Sequence, residues 1–65
     1  MIIVNGQAVE WHKDFSVSEL LRTCNYSFPL IIVKINGKHI EKHAYQNQMV
    51  ADGSNVEVIH LMSGG

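Results

Sequence analysis

Few residues in this 65-residue chain could do chemistry, and they are scattered. The single thiol, Cys24, closes an apolar stripe at helical spacing that begins at Val17, so we expect it on a buried helix face. A reactive cysteine needs an exposed, electropositive setting that favours the thiolate. We therefore interpret Cys24 as structural. A lone cysteine also excludes an internal disulfide and a cysteine-based zinc site.

The histidines offer a second possible chemistry, metal binding. His39 and His43 are four residues apart, which would align two zinc ligands on one face of a helix. The turn signal Asn36-Gly37 precedes them and the region lacks helical periodicity, so surface histidines are the favoured interpretation. His60 lies in phase with the apolar residues of the last predicted strand. Two interpretations of it remain open, a half-buried structural residue and a residue that tunes partner binding.

Acid–base and phosphate chemistry are not indicated either. The six carboxylates are scattered without a close pair, and the glycines mark isolated turns instead of a phosphate-binding loop. Trp11 is interpreted as a core residue, although a ligand platform is the alternative. The sequence thus predicts no catalytic site, no metal and no bound cofactor in this chain.

The last two residues, Gly64-Gly65, are of a different kind. Glycine adds no packing and has a large ordering cost, so the fold gains nothing from the pair. One interpretation is an unselected, floppy end. The other is a tail without side chains that enters a narrow channel and presents its carboxylate to the active site of another enzyme.

Composition restricts the class of protein. Hydrophobic residues make up 46% and charged residues 17% of the chain, which argues against disorder. A net charge of −1 gives no electrostatic signature of nucleic acid or anionic membrane binding. No apolar run approaches the roughly 18 residues of a membrane span, and no secretion signal is evident. We expect one small cytoplasmic domain.

The chain opens with a predicted hairpin and continues into one helix. Ile2 to Val4 and residues 8–12 flank Asn5-Gly6, the dipeptide that favours a two-residue turn. Ser16 precedes Glu19 at capping-box spacing, with Phe15 and Leu20 placed as a hydrophobic staple. The apolar spacing then predicts a short amphipathic helix, with Asn25 as its C-cap.

The second half of the chain is predicted to complete a sheet. Residues 30–35 form an apolar strand, Asn36-Gly37 a second tight turn, residues 38–40 a short return strand and residues 55–61 the last strand. Tyr45 is the expected anchor of the polar segment between them. The fold class is therefore α+β, a mixed sheet of four or five strands with one helix packed across one face. Residues 1–61 form the domain and residues 62–65 its tail.

Alternation along the strands assigns residues to the two faces of the sheet. Ile2, Val4, Val56 and Val58 are predicted to face the helix. The opposite face then carries uncovered apolar side chains, which are typical of a partner site. The candidate docking residues are Ile3, Ile59, Leu61 and Met62.

Taken in order, these motifs resemble the ubiquitin-like sulfur carriers, in particular the branch of thiamine biosynthesis. The resemblance covers the whole chain, and two features depart from the family pattern: Glu41-Lys42-His43 stands where Pro and Arg often precede the aromatic residue, and residues 25–30 lack the usual glycine. The matching motifs are Ile2-Ile3-Val4-Asn5-Gly6, Ser16-Val17-Ser18-Glu19-Leu20-Leu21, Ile35-Asn36-Gly37, Tyr45, Asp52-Gly53-x-x-Val56 and Gly64-Gly65.

The resemblance implies a ubiquitin-like β-grasp fold and a protein that is a co-substrate instead of an enzyme. An adenylating enzyme of the ubiquitin-activating type, with ATP and Mg, would activate the carboxylate of Gly65. A sulfur donor such as a cysteine desulfurase would convert it to a thiocarboxylate, and thiazole synthase would accept the sulfur. Ser63 and Gly64 would present the tail. A ubiquitin-like modifier joined to a target lysine, a carrier for another pathway such as molybdopterin synthesis, and a plain interaction domain are the alternatives.

Overall fold

The computed structural model of the chain describes residues 1–26 and 30–61. The predictions made for Met62, Ser63, Gly64 and Gly65 lie outside the described residues. The elements in chain order are β1 (Ile2–Val4), β2 (Gln7–Val9), α1 (Val17–Thr23), β3 (Ile31–Ile35), β4 (Lys38–Ile40), a 3₁₀ turn (Lys42–Ala44) and β5 (Asn55–His60).

The five strands form one mixed sheet in the order β2-β1-β5-β3-β4. β5 runs parallel to β1 and antiparallel to β3, while β1 with β2 and β3 with β4 are antiparallel hairpins. The strand nearest the C-terminus is therefore central, with a hairpin on each side. The predicted mixed sheet and single helix are confirmed in the described residues, which contain five strands.

Both hairpins turn on an Asn-Gly pair with positive φ at both positions. The φ angles are 49° and 83° at Asn5 and Gly6, and 51° and 83° at Asn36 and Gly37. These values are those of a type I′ turn, whose twist matches that of the flanking strands. The two turns predicted from the dipeptides are thus confirmed.

Helix α1 begins and ends with side-chain and backbone caps. The Ser16 hydroxyl accepts a hydrogen bond from the Glu19 amide at 3.1 Å, as the capping-box spacing predicts. The prediction of Asn25 as C-cap is wrong by one residue, since Cys24 is the C-cap. Asn25 instead adopts the left-handed conformation that follows the cap, with φ 62°. The amide of Tyr26 then reaches the Leu21 carbonyl at 2.7 Å, which completes a Schellman motif.

The second strand is shorter than the predicted residues 8–12. β2 ends at Val9 because Val9 pairs with Ile2, the first residue of β1, so β1 has no further residue to pair with β2. Trp11 lies outside the strand, half-buried against the core, and its indole N–H donates to the Val50 carbonyl at 2.7 Å. The interpretation of Trp11 as a core residue is supported by this position.

The core lies between α1 and one face of the sheet. The predicted inward residues of β1 and β5 are all buried, and Tyr45 packs against their cluster as expected. The buried hydrophobic residues are Ile2, Val4, Phe15, Val17, Leu20, Leu21, Val33, Ile40, Val50, Val56 and Val58.

Candidate functional site

The face of the sheet opposite α1 carries an apolar cluster at the end where β5 finishes. Ile59 on β5 lies directly opposite Ile32 on β3. One step along, the Leu61 amide donates to the Leu30 carbonyl at 3.0 Å, which continues the same register. Leu61, Leu30 and Ile59 are 56%, 50% and 39% exposed, and Ile32 is half-buried. We call Leu30, Ile32, Ile59 and Leu61 the outer patch.

The rest of this face is polar and separates the outer patch from Ile3. Glu57 on β5 is opposite Lys34 on β3, and Lys34 is in turn opposite His39 on β4. Ile3 lies beside Asn55, at the start of β5. At about 3.3 Å per residue, four residues place Ile59 roughly 13 Å further along the strand. Of the predicted docking residues, the structure therefore brings Ile59 and Leu61 together and leaves Ile3 apart.

Sequence reasoning missed Leu30 and Ile32 as members of this surface. Residues 30–35 are nearly all apolar, and such a strand carries little alternation that would distinguish its two faces. Only the register with β5 places Ile32 on the outer face, beside Ile59. The signal available in the sequence was indirect, since Lys34 falls in phase with Ile32 and interrupts the apolar run.

Two turn asparagines fix β5 from opposite sides. The Asn5 side chain accepts from the Val58 amide at 2.9 Å and donates to the Val58 carbonyl at 3.2 Å and to the Tyr26 hydroxyl at 2.9 Å. Asn36 accepts from the Asn55 amide at 2.9 Å through its side chain. These contacts hold β5 at its first residue, Asn55, and in its second half, at Val58.

His60 is exposed, so its interpretation as a half-buried structural residue is wrong. It lies beyond Val58, the last buried residue of β5, and opposite the half-buried Ile31. On the helix-facing side of β5, the side chains are therefore covered as far as Val58 but not at His60. The other interpretation, a residue that tunes partner binding, stays a prediction.

The thiol and the paired histidines considered for chemistry show no arrangement for catalysis or metal binding in the described residues. Burial raises the pKa of the Cys24 thiol, which disfavours the thiolate at neutral pH. His39 lies on β4, whereas His43 lies in the 3₁₀ turn. Within residues 1–26 and 30–61, no group of three His, Cys, Asp or Glu side chains could hold a metal ion.

Two further observations concern membrane-crossing helices and the extent of the candidate site. In the described part of the chain, α1 and the 3₁₀ turn both fall far short of the length and apolar character that a membrane-crossing helix requires. The candidate site therefore consists of the outer patch and the central strand β5. Gly64-Gly65 follow this strand in the sequence.

Comparison with known proteins places the chain in a family. The model of the ThiS family matches residues 1–65. The sulfur carrier protein ThiS of Bacillus subtilis (strain 168) is 30% identical, with both chains covered completely. A crystal structure of the thiamine biosynthesis protein ThiS from Geobacter metallireducens superposes with a TM-score of 0.80 at 31% identity, covering 98% of this chain and 97% of that one. For an NMR structure of a thiamine biosynthesis protein from the same organism, the TM-score is 0.77 at 31% identity and the coverage is 98% and 86%. The five-stranded sheet with its single helix is the ubiquitin-like β-grasp fold of these proteins, and the chain belongs to the ThiS family.

Proposed function

We propose that this protein is a sulfur carrier of thiamine biosynthesis and that sulfur travels on the carboxyl group of Gly65. The observation that carries the proposal is the family match over residues 1–65, which includes Gly64-Gly65. Membership of the family indicates the class of protein but does not identify the group that carries sulfur. The dipeptide supplies the reactive group that the described residues lack.

The proposed chemistry has four steps, all at the terminal carboxyl group. The carboxylate attacks the α-phosphorus of ATP, releasing pyrophosphate and leaving an acyl-adenylate with a good leaving group. The terminal sulfur of a partner's persulfide attacks the acyl carbon, and AMP departs. A thiol then cleaves the sulfur–sulfur bond, so that a thiocarboxylate remains on Gly65 and a disulfide forms on the partner's side. Transfer of this sulfur to the thiazole precursor returns the carboxylate, as an oxygen atom from water or from a carbonyl group of the precursor replaces the sulfur on the acyl carbon.

The division of labour follows from what the chain offers. Its described residues include no group of three side chains that could hold a metal ion, and burial raises the pKa of the Cys24 thiol; we assign activation to partners. We assign ATP and Mg to an adenylating enzyme of the ubiquitin-activating type, the persulfide to a sulfur donor such as a cysteine desulfurase, and sulfur acceptance to thiazole synthase. We assign these reactions, and with them the protein, to the cytoplasm.

Docking is assigned to the outer patch, which adjoins the end of β5. Its exposed residues, Leu30, Ile59 and Leu61, provide apolar area that a partner can cover. Glycines without Cβ atoms suit the narrow approach to an active site. Ser63 and Gly64 would present the terminal carboxylate. Ile3 and Met62, the other predicted contacts, remain predictions, and Ile3 would reach only a partner that extends across the polar part of the face.

Mass spectrometry of the intact protein tests the proposal. After incubation with the adenylating enzyme, Mg-ATP, a cysteine desulfurase, cysteine and a thiol reductant, the C-terminal fragment should gain the mass of one oxygen-to-sulfur exchange. A variant that lacks Gly65 should gain nothing, whereas Gln46→Ala, on the exposed polar segment after the 3₁₀ turn, should react like the parent protein.

Two outcomes would contradict the sulfur-carrier assignment. Isopeptide-linked conjugates in place of the sulfur exchange would indicate a protein modifier, and unchanged thiamine-independent growth of cells that carry only the variant without Gly65 would indicate an interaction domain. Sulfur delivery to a molybdopterin precursor, but not to thiazole, would move the protein to the alternative pathway.

A further inference from the structure

The two Asn-Gly turns are chemically equivalent in sequence but are held very differently in the fold. In such dipeptides, the glycine amide nitrogen can attack the side-chain carbonyl carbon of asparagine. A bond then forms between the Gly nitrogen and Asn Cγ, the bond from Cγ to Nδ2 breaks, and ammonia leaves. Water opens the resulting succinimide to aspartate or isoaspartate, so the turn gains one negative charge.

The side chain of Asn5 is held at both ends. Its Oδ1 accepts from the Val58 amide, and its Nδ2 donates to the Val58 carbonyl and the Tyr26 hydroxyl. Two of these three hydrogen bonds are partly buried. The carboxamide cannot rotate toward the Gly6 nitrogen until all three are released.

The side chain of Asn36 is held at one end. Its Oδ1 accepts from the Asn55 amide at 2.9 Å, in an exposed contact, and no described residue bonds its Nδ2. The turn itself is exposed and joins β3 to β4, a strand of three residues at the edge of the sheet. Opening this turn releases two hydrogen bonds to the central strand, both at Asn55: the Asn36 side chain accepts from the Asn55 amide, and the Asn36 amide donates to the Asn55 carbonyl at 2.8 Å.

We propose that Asn36 is a site of spontaneous deamidation in the folded protein and that Asn5 is protected from it. The reaction requires departure from the left-handed turn, so its rate follows the population of the locally opened state. Each hydrogen bond lost without replacement lowers that population by a factor of several. The two additional hydrogen bonds of Asn5 are expected to slow its reaction about tenfold or more relative to Asn36.

The consequence differs between the turns as well. Aspartate at position 36 can still accept from the Asn55 amide, because a carboxylate provides acceptor oxygens. Aspartate at position 5 would lose the donor to the Val58 carbonyl and would place a carboxylate against that carbonyl oxygen. The fold thus holds less firmly the asparagine whose conversion to aspartate it tolerates.

Peptide mapping of the aged protein tests this assignment. The folded chain is incubated in mildly alkaline buffer and sampled over time, and trypsin then separates Asn5, before Lys13, from Asn36, between Lys34 and Lys38. The deamidated fraction at Asn36 should grow about tenfold or more faster than that at Asn5. A parallel incubation in strong denaturant is the matched control, and there the two rates should lie within about twofold.

A variant separates hydrogen bonding from other causes. Tyr26→Phe removes one hydrogen bond of Asn5 and should speed its deamidation severalfold, while the rate at Asn36 stays unchanged. Equal rates at the two asparagines in the folded protein would overturn the proposal. A faster reaction at Asn5 would also overturn it. So would a ratio of the Asn36 rate to the Asn5 rate that is the same in the folded and the denatured protein.

Discussion

The carboxamide of Asn5 takes the place of a peptide group opposite Val58. Its oxygen accepts from the Val58 amide at 2.9 Å and its nitrogen donates to the Val58 carbonyl at 3.2 Å. The backbone of β1 has by then entered the turn at Gly6, so the side chain extends the pairing of β1 with β5. A side-chain amide can do this because it carries both a donor and an acceptor.

Asn5→Asp should therefore destabilise the fold although the side chain keeps its shape. The aspartate loses the donor to the Val58 carbonyl and places a carboxylate oxygen against that carbonyl oxygen. The free energy of unfolding should fall by about 1–3 kcal/mol, measured by urea titration. Asn36→Asp is the matched control and should change it by under about 1 kcal/mol, since its acceptor role survives. Equal losses in the two variants would contradict this account.

Removal of the N-cap of α1 should weaken the helix. Ser16→Ala deletes the acceptor of the Glu19 amide, and the expected loss in unfolding free energy is about 1 kcal/mol. Ser18→Ala, inside the first turn, is the control and should be neutral or stabilising because alanine favours the helix. Thermal unfolding followed by circular dichroism distinguishes the two. A larger loss for Ser18→Ala would refute the capping role of Ser16.

The left-handed residue after α1 should discriminate sharply between substitutions. Asn25 has a φ of 62°, a conformation that costs an alanine roughly 1–2 kcal/mol. Asn25→Ala should destabilise by about 1 kcal/mol, whereas Asn25→Gly should be neutral or better because glycine adopts this φ without strain. Chemical denaturation of both variants tests the contrast, and an alanine variant as stable as the glycine variant would disprove it.

Charge on the outer patch should impair docking, as the proposed function requires. Ile59→Lys places an ammonium group where a partner would bury apolar area, and the affinity for the adenylating enzyme should fall about tenfold or more. Met49→Lys is the control, because Met49 is 47% exposed but lies outside the patch, bridged to Ser16.

The affinity of Met49→Lys should stay within about twofold of the parent protein, measured by titration calorimetry. Ile3→Lys reports the reach of the partner across the polar part of the face. Equal affinity losses for Ile59→Lys and Met49→Lys would mean that the outer patch is not the docking surface.

The Cys24 thiol should react slowly and mainly at high pH. Burial raises its pKa, so the folded state holds the proton more tightly than the unfolded state. The stability linked to this group is present below the unfolded pKa and is lost as pH rises through the folded pKa. Alkylation by iodoacetamide near neutral pH should be slower in the folded protein than in urea. A rate that is unchanged by urea would contradict the shift.

The local features of the fold were predictable because each rests on neighbouring residues. The positive φ angles of the Asn-Gly turns follow from residue type, and the Ser16 cap follows from its spacing to Glu19. The alternation of β5 placed Val56 and Val58 inside and Ile59 outside, as observed.

The features that depend on long-range pairing were not predictable. The position of Ile32 on the outer patch requires the register of β3 with β5, and the short β2 reflects where β1 begins. The lock of Asn5 on Val58 spans 53 positions of sequence. Such contacts are set by the whole sheet, whereas propensity and spacing describe only a few residues at a time.

The central position of β5 determines how the domain bears a load. β5 is paired on both sides and runs parallel to β1, so the N-terminus and the outgoing chain leave from opposite ends of the sheet. The hydrogen bonds of the sheet lie largely across the strand direction. An enzyme that pulls on the chain beyond Leu61 therefore strains these bonds together in shear instead of opening them one at a time. The strand that leads to the proposed reactive end is thus anchored on both sides against being drawn out of the fold.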